Sequence, residues 1–333
     1  MNRRIKYVDI AKGLTMLMVV FVHTNAEVRS NSLFLQQINN FIMSFFMPAF
    51  FVYSGMFVRK ETWNGFFVKK AKTILVPLFF FYLLGYVFSA IIAHIGTLSL
   101  HNDFRWTNVF NIFCSKTFSN GALWFLAALF IGLTIVQICY RIRSNFIRYM
   151  VLVLFALIGM TWNTFIPYRL PIYADSGCYS VGYLVLGHML MKSLKIIQLD
   201  RNIKSFIIFG LSFMLVFLLQ ANKASMMMAT WHGNMFLSWV VGFCGAIMVL
   251  AFSSLLKDNR LLAYIGKNSI VVLCVHCFFI KPVVKIFGGH VTGVYLFLLC
   301  YIVVIVLCIV SISFLLKCCP FIIGKEKVCK ECV

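Results

Sequence analysis

The sequence predicts an all-α, polytopic integral membrane protein with about ten transmembrane helices in a single domain over residues 1–333. Of its residues, 62% are hydrophobic and only 12% are charged, whereas about a quarter of the residues in a typical soluble domain are charged. The 36 Phe residues and the aromatic share of 17% suit lipid-facing surfaces and interfacial belts in a bilayer. Because ten spans of about 20 residues use most of the chain, we expect no appended soluble domain and only a short cytoplasmic tail, 317–333.

Ten apolar windows follow one another along the chain, and each is a candidate membrane helix because about 20 helical residues cross the hydrocarbon core of a bilayer. The sixth window is short, and its flank contains Pro171, Asp175 and Gly177, which favours a loop that returns toward the membrane. The windows lie at residues 8–24, 38–58, 73–95, 121–140, 149–166, 178–191, 205–220, 235–256, 262–282 and 292–316.

The Lys and Arg residues are distributed unequally between the two sides of the predicted membrane. With the N-terminus inside, 23 of the 30 basic residues lie on the inner side and seven on the outer side. This bias is what the positive-inside rule expects, so both termini are predicted to be cytoplasmic. The seven outer residues are Arg29, Arg105, Lys116, Arg169, Lys223, Lys281 and Lys285.

The net charge of +21 does not indicate a nucleic-acid partner, because the basic residues form short clusters between apolar segments and not one stripe. Most of the 12 Cys residues stand singly in apolar runs, where Cys behaves as a small hydrophobe, so no disulfide framework is expected. Cys329 and Cys332 form a C-x-x-C without a second pair at zinc-finger spacing, and we predict no metal site. Cys318 and Cys319, beside the last window, could be acylated.

The first window carries ionisable side chains near both of its ends. Lys12 and His23 are separated by about 16 Å of helix and by about 20° beyond three full turns, so they share one face. Glu27 follows His23 by four residues and could orient its imidazole, and Asp9 could pair with Lys12. Intramembrane ionisable groups usually face a cavity or one another, although Lys12 could snorkel to the inner surface and His23 could sit in the outer interface.

Five segments in order resemble the acyltransferase 3 family of membrane-bound O-acyltransferases. The first has a basic residue, ten residues and then His, and the second has Met-Pro, a run of Phe and then Ser-Gly. The third has a basic pair three residues apart before an apolar run and Pro, and the fourth has Leu-Trp-Phe-Leu. The segments are YVDIAKGLTMLMVVFVH (7–23), FIMSFFMPAFFVYSGMFVRK (41–60), FVKKAKTILVP (67–77), GALWFLAALF (121–130) and YIGKNSIVVLCVH (264–276).

The resemblance implies transfer of an acyl group, usually acetyl from cytoplasmic acetyl-CoA, to a hydroxyl of a cell-envelope carbohydrate at the inner (cytoplasmic) membrane. The donor carries phosphates at one end and a thioester at the other, so it needs cations at the cytoplasmic mouth and a base deeper in the bilayer. On this hypothesis Lys12, Lys69 and Lys72 attract the phosphates, His23 is the general base, and Glu27 orients it. The family commonly has Arg at the three lysine positions, and Lys keeps the charge without the planar fork. His23 could alternatively carry the acetyl group briefly itself.

Ser54, Trp124 and His276 are supporting candidates. Ser54 could line a tunnel or simply allow close packing, whereas Trp124 is more typical of an interfacial aromatic residue and His276 of a satisfied helix histidine. A competing hypothesis is a transporter or exporter of an anionic or acylated small molecule, in which His23 and the lysines line a pathway without chemistry. Inverted repeats with interrupted helices would favour transport, and the sequence shows no such internal symmetry.

Overall fold

The computed structural model describes residues 5–95, 106–116, 120–197, 203–256 and 258–325, and these ranges are mainly helical. The α-helices are α1 Lys6–Val28, α2 Leu33–Met43, α3 Phe46–Gly55, α4 Trp63–Lys70, α5 Val76–Ile95, α6 Trp124–Cys139, α7 Asn145–Phe165, α8 Ala174–Ile197, α9 Ile203–Leu219, α10 Met235–Leu255, α11 Arg260–Lys267, α12 Ser269–Phe287 and α13 Gly293–Cys318. The two strands, β1 Lys223–Ser225 and β2 Thr230–His232, pair antiparallel. The predicted all-α class is confirmed, while Cys329 and Cys332 lie outside the described residues.

Seven stretches among the described residues are long and apolar enough to cross a membrane, which confirms a polytopic architecture. They are Lys6–Val28, Trp63–Ile91, Gly121–Cys139, Asn145–Phe165, Met235–Leu255, Ser269–Phe287 and Gly293–Cys318. The other predicted windows fall on α2 and α3, on α8, and on α9, which has only 17 residues. The predicted number of ten therefore stays a prediction.

The second window is divided into α2 and α3 by a break at Ser44 and Phe45. Pro48 explains the break, because proline donates no amide hydrogen to the carbonyl four residues earlier and its ring collides with that carbonyl in a continuous helix. The Ser44 side chain donates instead to the Phe41 carbonyl at 2.7 Å. All of α3 is buried except Ser54, so this short helix belongs to the core and presents one polar side chain at its surface.

The sixth window is a continuous helix from Ala174, so the expectation of a loop at residues 174–177 is wrong. The chain turns sharply before it, with positive φ at Ile172 and Tyr173. Asp175 is fully buried in the first turn, and the Arg169 guanidinium donates to both of its carboxylate oxygens at 2.5 and 2.9 Å. This bidentate pairing compensates the buried charge and allows the helix to begin with an acidic residue.

The first helix lies at the centre of the bundle, in contact with α2, α3, α10, α11, α12 and α13. Its contact with α11 depends on two glycines. A Cβ at Gly13 would overlap the Leu262 carbonyl, and a Cβ at Gly266 would overlap the Asp9 carbonyl. The two backbones therefore touch directly, as is common where small residues line helix contacts in membranes.

The connections predicted to be cytoplasmic meet at one end of the bundle, which we call the basic end. Three pairs join them: Lys6 with Asp258 at 3.0 Å, Arg141 with the Glu61 carbonyl at 3.1 Å, and Lys325 with Asn268 at 2.5 Å. Connections predicted to be external meet at the opposite end, where Asn163 donates to the Met228 carbonyl at 2.7 Å and Ser115 to the Leu170 carbonyl at 2.5 Å. This alternation matches the order of the predicted connections, and the assignment of each end to one side of the membrane stays a prediction.

Candidate active site

A cavity of about 270 Å³ opens between α1, α3, α4, α6, α12 and the π-helical turn Ala71–Leu75, and we call it the basic cavity. Two lysines, Lys12 and Lys70, supply its positive charge. Three hydroxyl residues also line it, namely Ser54, Thr73 and Ser269, and the remaining lining residues are apolar. The combination of two cations with an apolar interior suits a ligand that has an anionic head and a less polar arm.

The two cations come from different helices. Lys12 is half-buried on α1, and its Nζ lies 5.0 Å from the centre of the Phe57 ring, within the range of a cation–π contact. Lys70 is the last residue of α4 and is also half-buried. Both lysines therefore line the same cavity, and an anion bound in it could attract both charges.

The other two predicted lysines lie elsewhere. Lys69 pairs with Glu61 at 2.7 Å and leaves 59% of its side chain exposed, and Lys72 is exposed on the π-helical turn Ala71–Leu75. Neither lines the basic cavity, so their assignment as phosphate ligands stays a prediction. Sequence analysis missed Lys70, although it stands beside Lys69, because the family pattern of a basic pair three residues apart matches Lys69 and Lys72.

His23 lies deep in the bundle on the same continuous helix as Lys12. Its ring is 5.0 Å from the ring of His276 on α12, with an angle of 60° between the planes. His23 is half-buried, whereas His276 is completely buried. The structure thus brings together two imidazoles that are 253 residues apart in the chain.

The hydrogen bonding of His276 identifies its tautomer. Its Nδ1 lies 2.8 Å from the Val272 carbonyl, which can only accept, so Nδ1 carries the proton. Nε2 is then an acceptor, and it lies 3.4 Å from Sγ of Cys277. Sequence analysis did not single out Cys277, because nothing in the apolar run that contains it shows that a thiol and an imidazole converge.

The three remaining predicted residues are Glu27, Trp124 and Asp9. Glu27 is exposed at the end of α1, and the described part of the chain shows no hydrogen bond between it and His23. Trp124 is buried at the start of α6, with its ring 6.4 Å from those of Phe51 and Tyr173. Asp9 is buried against α11. The roles predicted for these three residues stay predictions.

The basic cavity and the histidine pair lie along the same two helices. Met16 on α1 and Leu273 on α12 both line the cavity. His23 follows Met16 by seven residues, or about 10 Å of helix, and His276 follows Leu273 by three, or about 4.5 Å. The cavity therefore points from the basic end toward the two imidazoles.

Comparison with known proteins connects this arrangement with an enzyme family. A family model described as an acyltransferase domain matches residues 5–313, which include the basic cavity and the histidine pair. Neither the search of curated proteins nor the search of solved structures gave a match. The match covers nearly the whole chain, and the protein therefore belongs to the acyltransferase 3 family of membrane acyltransferases.

Proposed function

We propose that this protein transfers an acyl group, acetyl in the simplest case, from cytoplasmic acyl-CoA to a hydroxyl of a cell-envelope carbohydrate. The protein would do so from the lipid bilayer of the inner membrane, with both termini in the cytoplasm. Membership of the acyltransferase 3 family supports the reaction class. The donor and the acceptor are those that the resemblance to this family implies, and His23 is inferred as the base from its place on α1 beside His276.

The observation that carries the proposal is the first helix. Lys12 in the wall of the basic cavity and His23 beside His276 belong to one continuous helix, Lys6–Val28. The phosphates of acyl-CoA carry negative charge at one end of a long arm, and the reactive thioester is at the other end. A helix with a cation at one level and an imidazole about 16 Å away matches this separation of charge and reactivity.

The donor end of the proposal depends on Lys12 and Lys70. Charge-assisted hydrogen bonds from lysine to phosphate are stronger than neutral ones, and a low-dielectric wall strengthens them further. The apolar part of the cavity would accept the arm of the donor. Because Lys69 and Lys72 lie outside this lining, we assign them at most a long-range attraction for the anionic head.

The acceptor end depends on His23. In our proposal the acceptor hydroxyl donates a hydrogen bond to the imidazole of His23, which removes the proton as the oxygen attacks the thioester carbon. Imidazole suits this step because its ordinary pKa is near neutral pH. His276 would keep the imidazole of His23 in place, since its own Nδ1 is held by the Val272 carbonyl.

The test is acyl transfer by the purified protein in lipid nanodiscs, with radiolabelled acetyl-CoA as donor and an envelope polysaccharide fraction as acceptor. We expect label in the carbohydrate with wild-type protein and a loss of about 100-fold or more with His23→Gln, the scale of general-base catalysis. Glutamine keeps hydrogen bonding but cannot take the proton. Transport of labelled donor or acceptor across a sealed vesicle without any label transfer would support an exporter and contradict the proposal.

A further inference from the structure

The thiol of Cys277 is oriented like an enzymatic nucleophile. Its Sγ lies 3.4 Å from Nε2 of His276, and the Val272 carbonyl holds the opposite nitrogen of that ring as a donor at 2.8 Å. The thiol therefore donates a hydrogen bond to Nε2. A nucleophile, a base and a group that orients the base are the three parts found in covalent catalysis by cysteine.

Two imidazoles and a backbone hydrogen bond surround the Cys277 thiol. The ligating atoms of His23, His276 and Cys277 all lie within 4.8 Å of one another. The backbone of Ala122 forms a hydrogen bond with the thiol, from the 3-10 turn Gly121–Leu123 that precedes α6. Two imidazoles next to one thiol provide a separate proton acceptor for each of two transfer steps.

A buried amide beside this cluster points to a missing hydrogen-bond donor. Asn120 is completely buried, and its Nδ2 donates to the Cys274 carbonyl at 2.7 Å, one turn before Cys277 on α12. Its Oδ1 has no hydrogen-bond partner within the ranges that the structure describes. Buried polar atoms are usually satisfied, so an unpaired carbonyl oxygen at this position suits a ligand that carries hydroxyl groups.

We propose that Cys277 is a second catalytic residue, which carries the acyl group as a thioester between the donor and the acceptor. This inference rests on the proposed function and adds a covalent intermediate to it. Cys277 is half-buried. It lies one helical turn beyond Leu273, which lines the basic cavity. A donor arm that follows α12 from the basic cavity would therefore reach the thiol.

The first step exchanges one thioester for another. The Cys277 proton moves to Nε2 of His276, Sγ attacks the carbonyl carbon of acyl-CoA, and the bond from that carbon to the CoA sulfur breaks. The CoA sulfur takes the proton from His276 and leaves as the free thiol. The products are acyl-Cys277 and CoA, and no other reactant is needed.

The second step moves the acyl group to the acceptor. The acceptor hydroxyl oxygen attacks the carbonyl carbon of acyl-Cys277 while its proton passes to His23. The bond from the carbonyl carbon to Sγ breaks, and the sulfur takes the proton from the imidazole of His23. The products are the carbohydrate ester and the free Cys277 thiol, so the enzyme returns to its starting state.

The experiment detects the intermediate directly in the full-length protein in nanodiscs. The protein is mixed with radiolabelled acetyl-CoA without acceptor, quenched in acid within seconds, and separated under denaturing conditions. We expect label on the wild-type protein that neutral hydroxylamine removes, and mass spectrometry should place the acetyl group on Cys277. The His23→Gln variant should keep this label when acceptor is added, because only the second step is lost.

Two variants test the assignment of the nucleophile. Cys277→Ala should carry no label and should lose transfer by about 100-fold or more, while Cys274→Ala, a buried cysteine three residues earlier on the same helix, should keep both. His276→Gln should slow label formation. A monodisperse elution profile of each variant confirms folding, and Cys277→Ser serves in place of Cys277→Ala if the latter aggregates.

The possible failures of the two proposals are distinguishable. Wild-type transfer without an acyl-protein, together with full activity of Cys277→Ala, overturns the relay and leaves the proposed function standing. An acetyl group mapped to His23 also overturns it. Stoichiometric zinc that is lost in both Cys277→Ala and His276→Gln, with no acyl-protein, would make the cluster a metal site and contradict the relay. Absence of any transfer by the wild-type protein contradicts the proposed function itself.

Discussion

Removing the positive charge of the basic cavity should weaken donor use through KM. The change is Lys12→Ala together with Lys70→Ala, since both lysines line the cavity. A hydrogen bond to a charged group contributes about 1.5–3 kcal/mol, and because both lysines are half-buried we take the lower end for each. The sum of about 3 kcal/mol corresponds to an increase in KM of roughly 100-fold, since about 1.4 kcal/mol is a factor of ten.

The assay is the initial rate of label transfer at a series of acetyl-CoA concentrations with saturating acceptor. Phosphate binding acts equally in the ground state and in the transition state, so kcat should change little. Lys69→Ala is a matched control from the same basic cluster. Because Lys69 lies outside the cavity lining and its exposed ion pair with Glu61 contributes only about 0–1 kcal/mol, its KM should stay within about fivefold of the wild type.

The comparison also decides between the sequence-based and the structure-based assignment of the donor mouth. The sequence predicted Lys69 and Lys72 beside Lys12, whereas the cavity is lined by Lys12 and Lys70. If Lys69→Ala with Lys72→Ala raises KM about 100-fold while Lys12→Ala with Lys70→Ala does not, the basic cavity does not hold the donor. A fall in kcat alone after loss of Lys12 and Lys70 would equally refute the reasoning.

Three further predictions follow from the fold. Asp175→Asn should lower the free energy of unfolding by about 3 kcal/mol, since it leaves the Arg169 charge without its buried partner; a thermal-shift measurement in detergent that shows no change contradicts this. Gly266→Ala should cost about 1–3 kcal/mol or more because its Cβ meets the Asp9 carbonyl on α1, and wild-type stability of that variant would refute the backbone contact. A reporter fused after Lys72 should be cytoplasmic and one near His232 external, and the reverse result would invert the predicted topology.

The sequence predicts the first helix well because one physical signal governs it. The apolar run from Gly13 to Val22, in which only Thr15 has a polar side chain, predicts a membrane helix, and helix geometry then relates Lys12 to His23. The structure keeps this segment as one helix from Lys6 to Val28. Where a prediction depends only on rise and rotation along one element, the sequence is sufficient.

Lys70 could not be assigned in the same way, because the helix geometry changes beside it. A π-helical turn begins at Ala71, one residue after Lys70, and a turn with i→i+5 bonding rotates the preceding residues relative to those that follow. The regular spacing that suggested Lys69 and Lys72 does not apply across such a turn. The change in helical register at this turn arises in the folded segment, and no residue of the sequence FVKKAKTILVP indicates it.

The histidine pair and Cys277 depend on contacts between elements that are distant in the chain. The segment YIGKNSIVVLCVH (264–276) ends on His276, so the sequence indicates that residue as a candidate but not its contacts. Its contact with His23 exists because α12 packs against α1. The convergence of the Cys277 thiol on Nε2 needs, in addition, the tautomer that the Val272 carbonyl imposes. Periodicity along one segment contains neither relation.

The depth of the histidine pair bears on how the two substrates reach one another. His23 is 17 residues beyond Lys6 and five before Val28, so it lies about 25 Å from the basic end of α1 and about 8 Å from its other end. A donor with a long arm can cover the greater distance, whereas a bulky carbohydrate suits the shorter one. We therefore expect acyl-CoA to enter from the basic end and the acceptor from the opposite end. On this proposal the acyl group would cross the distance of about 16 Å from Lys12 to His23 on the donor arm, and neither the charged head nor the sugar would have to leave its own side of the membrane.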